Sequence, residues 1–550
     1  MKKVLSICLV ILTVLSVFSV TASAEAVVPS EYYNIRVDDI YYVVDSTGAY
    51  VVGYELNDIT PQSGIVVPQT IEYRGQDYDV VGIDDLAFTQ ATFTSIILPS
   101  TIKHIGDGAF SSCDYLENVV IPNDCEFESI GFSVFMGTPF ESKIYSNEYT
   151  VFGKNLLYAY TGNAETFVIP DNITLMAESC FFMSGVKNVV INNNIDVIPN
   201  LAFASCSNLK EIIIPDGVAY VGQGAFKDCI NLEKVTLGTG VCFLGVDCFA
   251  NTKIKTIHLG QNVYEITGAF KDCKLMESVT IDPANTALKT DGQSIYKNTT
   301  FHFDGKEKKG LILEYYLPSK ANGKITLKSN AHAIGAYAFY GCEGIEEVVA
   351  KELMYVDSYA FCNSGIKKFS AIGEYRIEDS AFRNCKNLQS INLENADYIG
   401  VAAFENCSAL KDVTLPEDIE EISEMAFAYT GITEITIFGN DCYIYESAFK
   451  GCSNLKTVNL QDGVSYVGMN AFIECPEIET IYISKTVSNF DNNAFSGCED
   501  AHFQVVKGSR GHHFVKKMGY DFETVGSVSF FERITVFFQN LFDSLFGWIL

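Results

Sequence analysis

The chain has 550 residues, 48% hydrophobic and 13% aromatic, with 68 acidic against 38 basic side chains and a formal net charge of −30. Such a composition belongs to a folded protein, and so acidic a surface repels phosphate backbones, which excludes nucleic acid as an expected partner. A chain of this length ordinarily divides into several domains unless it is a repeat array, which grows in one dimension.

At the start, Lys2 and Lys3 precede an apolar run over residues 4–20, and Ala22, Ser23 and Ala24 supply small side chains ahead of Glu25. This layout predicts a secretory signal over residues 1–24, cleaved after Ala24. Residues 25–81 follow, and from residue 31 onward they alternate apolar and polar side chains around turn-forming stretches at 45–48 and 75–76. The alternation predicts antiparallel strands that cap what comes next.

From residue 82 the sequence repeats. The hexapeptide GAFKDC occurs at 224–229 and again at 268–273. These are two members of a larger set, in which a small residue precedes Phe at 88, 110, 135, 181, 203, 226, 249, 270, 339, 361, 382, 404, 427, 449, 472 and 495. Most steps are 21 to 23 residues, and the longer ones at 135–181 and 270–339 are near multiples of that period. Within a unit, Leu232, Val235 and Leu237 show the pattern of a short half-buried strand, followed by a turn at 238–240 and then the small-Phe pair. A strand of this kind cannot bury its apolar side alone, so stacking on the next unit predicts a parallel sheet and one continuous core. The expected fold is a repeat solenoid over residues 82–500, of leucine-rich repeat type, with about 22–23 residues per coil.

The residue three after Phe is Cys in ten units, at 113, 206, 229, 273, 342, 385, 407, 452, 475 and 498, and Ala, Ser or Thr in the others. Equivalent side chains in a stack point in parallel, no CxxC pair occurs, and small residues substitute for one another. The pattern therefore favours a ladder of buried free thiols over disulfides or metal ligands. Two segments break the period, near 145–164 and 281–328, and read as inserted hairpins, after which the repeat resumes at Ile334. Residues 501–526 form an expected C-terminal cap with a short helix over 510–518. Residues 527–550 carry aromatic and aliphatic side chains at helical spacing and form an expected amphipathic tail. That tail either packs back on the solenoid or lies in a membrane interface or a partner's groove.

The pattern IGxxAFxxC followed by LxxIxIP, written here from Ile105 to Cys113 and from Leu116 to Pro122, resembles the BspA-like leucine-rich repeats of bacterial surface proteins. The resemblance covers residues 82 to 498. It implies a parallel-sheet repeat fold, location outside the cell, and contact with proteins on host or bacterial surfaces, including adhesion. No phosphate-binding loop, calcium loop or catalytic constellation is evident, so no catalytic residue, cofactor or metal is expected. The leading expectation is a non-enzymatic binding protein. The alternative is an exported hydrolase with its site on the inserted hairpins. In each strand the residue after the Val235-type position points away from the core, and this outward row is aliphatic early and mostly polar later. The candidate binding face is Ile97, Val120, Val190 and Ile213, with Tyr482 at the far end.

Overall fold

The computed structural model describes residues 35–55, 63–303 and 306–529. The expected signal over 1–24 and nearly all of the expected tail helix lie outside the described residues. The chain forms two compact units, residues 1–241 and 242–550.

In the first unit the chain enters as antiparallel strands. Ile40–Val44 pairs with Ala49–Tyr54 across a turn in which the Asp45 carboxylate accepts from the Thr47 and Gly48 amides. Thr70–Tyr73 pairs with Gln76–Ile83 across Arg74 and Gly75, at φ +53° and +80°. The pairing then becomes parallel: Gln76–Ile83 is followed in its sheet by His104–Ile105 and Ser129–Ile130. A second row of parallel strands runs beside it, from Ile65–Val66 through Ser95–Ile97 to Asn118–Val120, then Thr166–Val168 with Asn188–Val190, and Glu211–Ile213 with Lys234–Thr236. Each coil thus supplies one strand to each row, and its third side is the small-Phe segment.

That third side explains the hexapeptide. In nearly every coil the residues two before and two after Phe are left-handed: Gly224 and Asp228 stand at φ +61° and +59°, and Leu201 and Ser205 at +54° and +60°. Each such residue costs about 1–2 kcal/mol when it is not Gly, Asn or Asp. The cost is offset because the bend lets every coil bond to the next. The Phe203 amide donates to the Ala225 carbonyl at 2.7 Å, and the Ser205 amide donates to the Lys227 carbonyl at 2.8 Å. The rings follow the backbone. Phe203 and Phe226 stack at 5.0 Å and 2°, and in the second unit Phe361 and Phe382 stack at 4.8 Å and 5°. Such pairs contribute about 0.5–1.5 kcal/mol each beyond the area they bury.

The cysteine position has an equally local cause. Nine of the ten ladder thiols reach back to the Phe carbonyl of the preceding coil, among them Cys113 to Phe88 at 2.9 Å, Cys229 to Phe203 at 3.0 Å, Cys385 to Phe361 at 3.0 Å and Cys475 to Phe449 at 3.1 Å, and Cys342 reaches the Tyr316 carbonyl. At Ser184, Thr252, Ser364 and Thr430 the hydroxyl meets the next thiol, as Ser184 meets Cys206 at 3.3 Å, whereas Thr138 caps the helix that follows it. All sixteen cysteines among the described residues are free, and burial pushes the Cys113, Cys342 and Cys498 thiols up to about 12.

The two interruptions are inserted hairpins, but each also completes the stack. Tyr149–Phe152 and Leu156–Tyr160 are antiparallel, and Leu156–Tyr160 then pairs in parallel with Leu175–Met176. Tyr158 lies 5.8 Å from Phe135 and Tyr160 lies 4.9 Å from Phe181, so two tyrosines carry the aromatic column across the gap. In the second unit Ser294–Phe303 pairs with Lys306–Tyr316, which pairs in parallel with Ala331–Ile334. Tyr315 meets Phe270 at 5.7 Å and Tyr316 meets Phe339 at 5.1 Å. The repeat therefore resumes earlier than Ile334. Gly323–Thr326 is already a parallel strand, paired with Ile345–Val349.

The second unit ends on the helix Arg510–Met518. Ser509 caps its first turn by accepting from the His512 amide, and Gly519 closes it at φ +80°. Phe514 stacks on Phe490 at 4.5 Å, which covers the apolar end of the last coil.

Candidate binding face

The strands of the first unit present two outward rows. One is polar, with Ser95 opposite Asn118, Thr166 opposite Asn188, and Glu211 opposite Lys234. The other is aliphatic. Val66 stands opposite Ile97, Ile97 opposite Val120, and Val168 opposite Val190; Ile213 stands opposite Thr236, where the row turns polar. These side chains are far from buried: Val66 is 63% exposed, Ile97 44%, Val120 50%, Val168 60%, Val190 50% and Ile213 65%. Contiguous exposed apolar side chains on a regular sheet are uncommon on a protein that functions alone.

The structure brings Ile97, Val120, Val190 and Ile213 into one unit on equivalent strand positions. It adds Val66 and Val168, which the repeat pattern does not single out. Val66 precedes the first Phe unit, and Val168 sits just after an insertion, so neither is reached by counting from Phe. A sequence signal did exist for the second: Val168 precedes Ile169 and Pro170 as Val120 precedes Ile121 and Pro122.

The row is divided. Asn118–Val120 ends its sheet, and the short helix Pro139–Ile144 stands next to it, with the Phe140 amide donating to the Leu116 carbonyl at 2.9 Å. Lys143 Nζ reaches the Glu117 carbonyl at 2.7 Å and Asn118 Oδ1 at 3.0 Å. Because no strand follows, Val119 and Ile121, core positions by their place in the repeat, are only half-buried. The face is therefore two aliphatic clusters, Val66–Ile97–Val120 and Val168–Val190–Ile213, flanking a basic side chain. Tyr482 belongs to the second unit. It is half-buried and stands opposite Asn459 on one side and Gln504 on the other, so its surroundings are polar.

The insertion in the second unit gathers carboxylates. Lys297 Nζ lies 2.7 Å from Glu265 Oε2, and the Thr267 hydroxyl lies 2.5 Å from Glu265 Oε1 and 3.2 Å from Glu314 Oε2. A hydroxyl has one proton to give. Thr267 gives it chiefly to Glu265, the nearer carboxylate, so Glu314 gains little from the shared hydroxyl. Burial pushes Glu314 up to about 7, against the attraction of Lys297. Burial also raises Glu265, but the bonds from Lys297 and Thr267 outweigh it and hold that carboxylate below its ordinary value. Glu314 is 4% exposed, so a substrate does not reach it. Among the described residues no group of three or more His, Cys, Asp or Glu side chains is placed to hold a metal ion, and no helix is long and apolar enough to cross a membrane.

A family model for a BspA type leucine rich repeat region of six copies matches the chain at residues 81–210, 197–303, 313–396 and 375–502. Among solved structures, a leucine rich cell surface protein from Faecalibacterium prausnitzii is 20% identical, with 87% of this chain and 96% of that one covered at a TM-score of 0.33. The pneumococcal vaccine antigen PcpA is 15% identical over 90% and 98%, at a TM-score of 0.33. A leucine-rich repeat protein from Eubacterium ventriosum is 18% identical over 62% and 90%, at 0.37. No curated protein matches the chain.

Proposed function

The chain belongs to the BspA-type leucine-rich repeat family, and from that premise we propose that it is a non-enzymatic, secreted or cell-surface protein that binds another protein. The observation that carries this reading is the exposed aliphatic row of the first unit, with its polar row alongside. A partner protein covering Val66, Ile97, Val120, Val168, Val190 and Ile213 would remove these side chains from water at about 25 cal/mol per Å². The polar row would serve as a rim. Export follows from the reading of residues 1–24 as a secretory signal, and the partner is then a protein of the host or a neighbouring bacterial surface, consistent with adhesion. The hydrolase alternative finds little support in the second insertion, whose raised carboxylate is closed off from solvent.

The test replaces Val120 and Ile213 together by Asp. Both side chains point outward, so the fold is expected to persist by circular dichroism. Pull-down from host and bacterial surface extracts is expected to recover a protein with the wild-type chain that the double variant does not hold. If the variant holds the same protein with unchanged affinity, the aliphatic row is not the site, and the inserted segments 145–164 and 281–328 replace it.

A further inference from the structure

The second unit carries a cleft of about 300 Å³ on its small-Phe side, away from its strand rows. Its origin lies in the repeat. The residues that follow Phe270, Phe339, Phe361 and Phe382 are Lys271, Tyr340, Cys362 and Arg383, and the next residues along include Gly341, Asn363 and Asn384. Backbone bonds hold these rows in step: the Gly341 amide donates to the Cys362 carbonyl and the Asn363 amide to the Arg383 carbonyl, both at 3.0 Å. Cys362 is short and buried between two long neighbours. The column beneath steps by 4.8 Å from Phe339 to Phe361 and again to Phe382, so Tyr340 and Arg383 stand two steps apart with a gap between them. Gly341, at φ +66°, has no side chain to fill its own row.

The walls are aromatic and amide-bearing. Tyr337 and Tyr359 stack at 5.2 Å and 1°, and Lys271 Nζ lies 5.0 Å from the Tyr337 ring centroid and 5.3 Å from that of Tyr340. The Asn363 amide donates to the Tyr340 hydroxyl at 2.8 Å, which fixes that ring. Asn384 Oδ1 accepts from Asn406, leaving its own amide N–H groups on the cleft lining. Burial pushes Tyr337 and Tyr340 up to about 12, so both remain neutral phenols able to donate and accept.

Charge decides the class of ligand. Lys271 is paired with Asp247 at 2.7 Å and Arg383 with the buried Glu405 at 2.7 Å. Each cation has its own anion, so the cleft offers donors without a net positive field, on a chain of net charge −30 that repels acidic ligands. A neutral saccharide suits this surface. Its weakly positive C–H bonds lie against the negative face of a tyrosine ring. Its paired hydroxyls match the N–H donors of Arg and the amide side chain of Asn, which both donates and accepts. A shallow, mostly polar cleft near the lower end of ligand-site volumes holds one or two sugar rings.

We propose that this cleft is a binding site for a neutral saccharide, with Tyr340 as the stacking residue and Asn384 and Arg383 as hydroxyl partners. The site is independent of the aliphatic face of the first unit. The full chain is applied to an array of neutral oligosaccharides, with sialylated and sulfated oligosaccharides and a proline-rich peptide as comparison arms, and the best-bound probe is titrated by calorimetry. The expected result is binding of a neutral member, weakened at least tenfold by Tyr340→Ala and severalfold by Asn384→Gly, glycine being chosen because Asn384 stands at φ +61°. The latter is a change at a partly exposed side chain that leaves the fold intact by circular dichroism. The Val120→Asp, Ile213→Asp variant is expected to bind the saccharide like wild type, so loss of the protein partner and loss of the sugar are separable. The proposal is overturned if no neutral oligosaccharide binds, if neither cleft variant weakens binding, or if the acidic oligosaccharides or the proline-rich peptide are the ligands lost in those variants.

Discussion

Glu314→Gln should remove most of the pH dependence of the inserted hairpin in the second unit. The native carboxyl sits at about 7 against an ordinary value of 4.5. Between those values the folded state holds a proton that the unfolded chain releases, so stability falls as pH rises through this window and is flat above it. At about 1.4 kcal/mol per pH unit, the gap amounts to about 3 kcal/mol between pH 5 and pH 8. Glu265 does not cancel it. Its folded value is lowered, so its contribution is already complete above its unfolded value and is lost only as pH falls further. Asp357, also raised by burial, acts in the same direction as Glu314 and leaves a small residual slope. Glutamine keeps the shape of the side chain, and its amide oxygen can still accept from the Thr267 hydroxyl. The assay is hydrogen exchange by mass spectrometry on peptides covering Ser294–Phe303 and Lys306–Tyr316, corrected for intrinsic rates, from pH 5 to pH 8. Wild-type protection should fall across that range, and the variant should be nearly flat and better protected at pH 8. A variant that keeps the wild-type slope, or is less protected at pH 8, would refute the protonated-carboxyl account.

Two further outcomes follow from the coil geometry. Cys229→Ser should cost less than about 1 kcal/mol, because the hydroxyl can take over the bond to the Phe203 carbonyl, whereas Cys229→Val should cost more by crowding that carbonyl; denaturant midpoints of the two variants decide, and thiol titration should find the ladder unreactive until the chain is unfolded. Asp228→Val places a β-branched residue at φ +59° and should cost about 1–2 kcal/mol more than Asp228→Gly, which loses the same side chain without the backbone strain; equal midpoints for the two would count against the left-handed bend as the reason for the hexapeptide's Asp.

The sequence by itself determined the period, the coil and its parallel strands, and the chemistry of the small-Phe and Cys positions. All of these are set by contacts one repeat away, so each is written as many times as there are coils. The short helix at 510–518 was legible for the same reason: Ser509, the apolar pair Phe514 and Val515, and Gly519 are local signals. The outward positions Ile97, Val120, Val190 and Ile213 could be read because strand alternation fixes which residues face away. What only the tertiary structure decided lies where the period fails or distant coils meet. Tyr158, Tyr160, Tyr315 and Tyr316 fill the aromatic column because hairpin register, not spacing from Phe, brings them there. Val119 loses its cover because the helix Pro139–Ile144 stands where the other coils continue with a strand. Lys271 meets Tyr337 and Tyr340 across more than sixty residues because most of the second insertion projects from the stack and only its end, with Tyr315 and Tyr316, fills the column between Phe270 and Phe339. A one-dimensional repeat announces its own stacking, but an insertion hides which coils become neighbours, and the saccharide cleft is made between such neighbours.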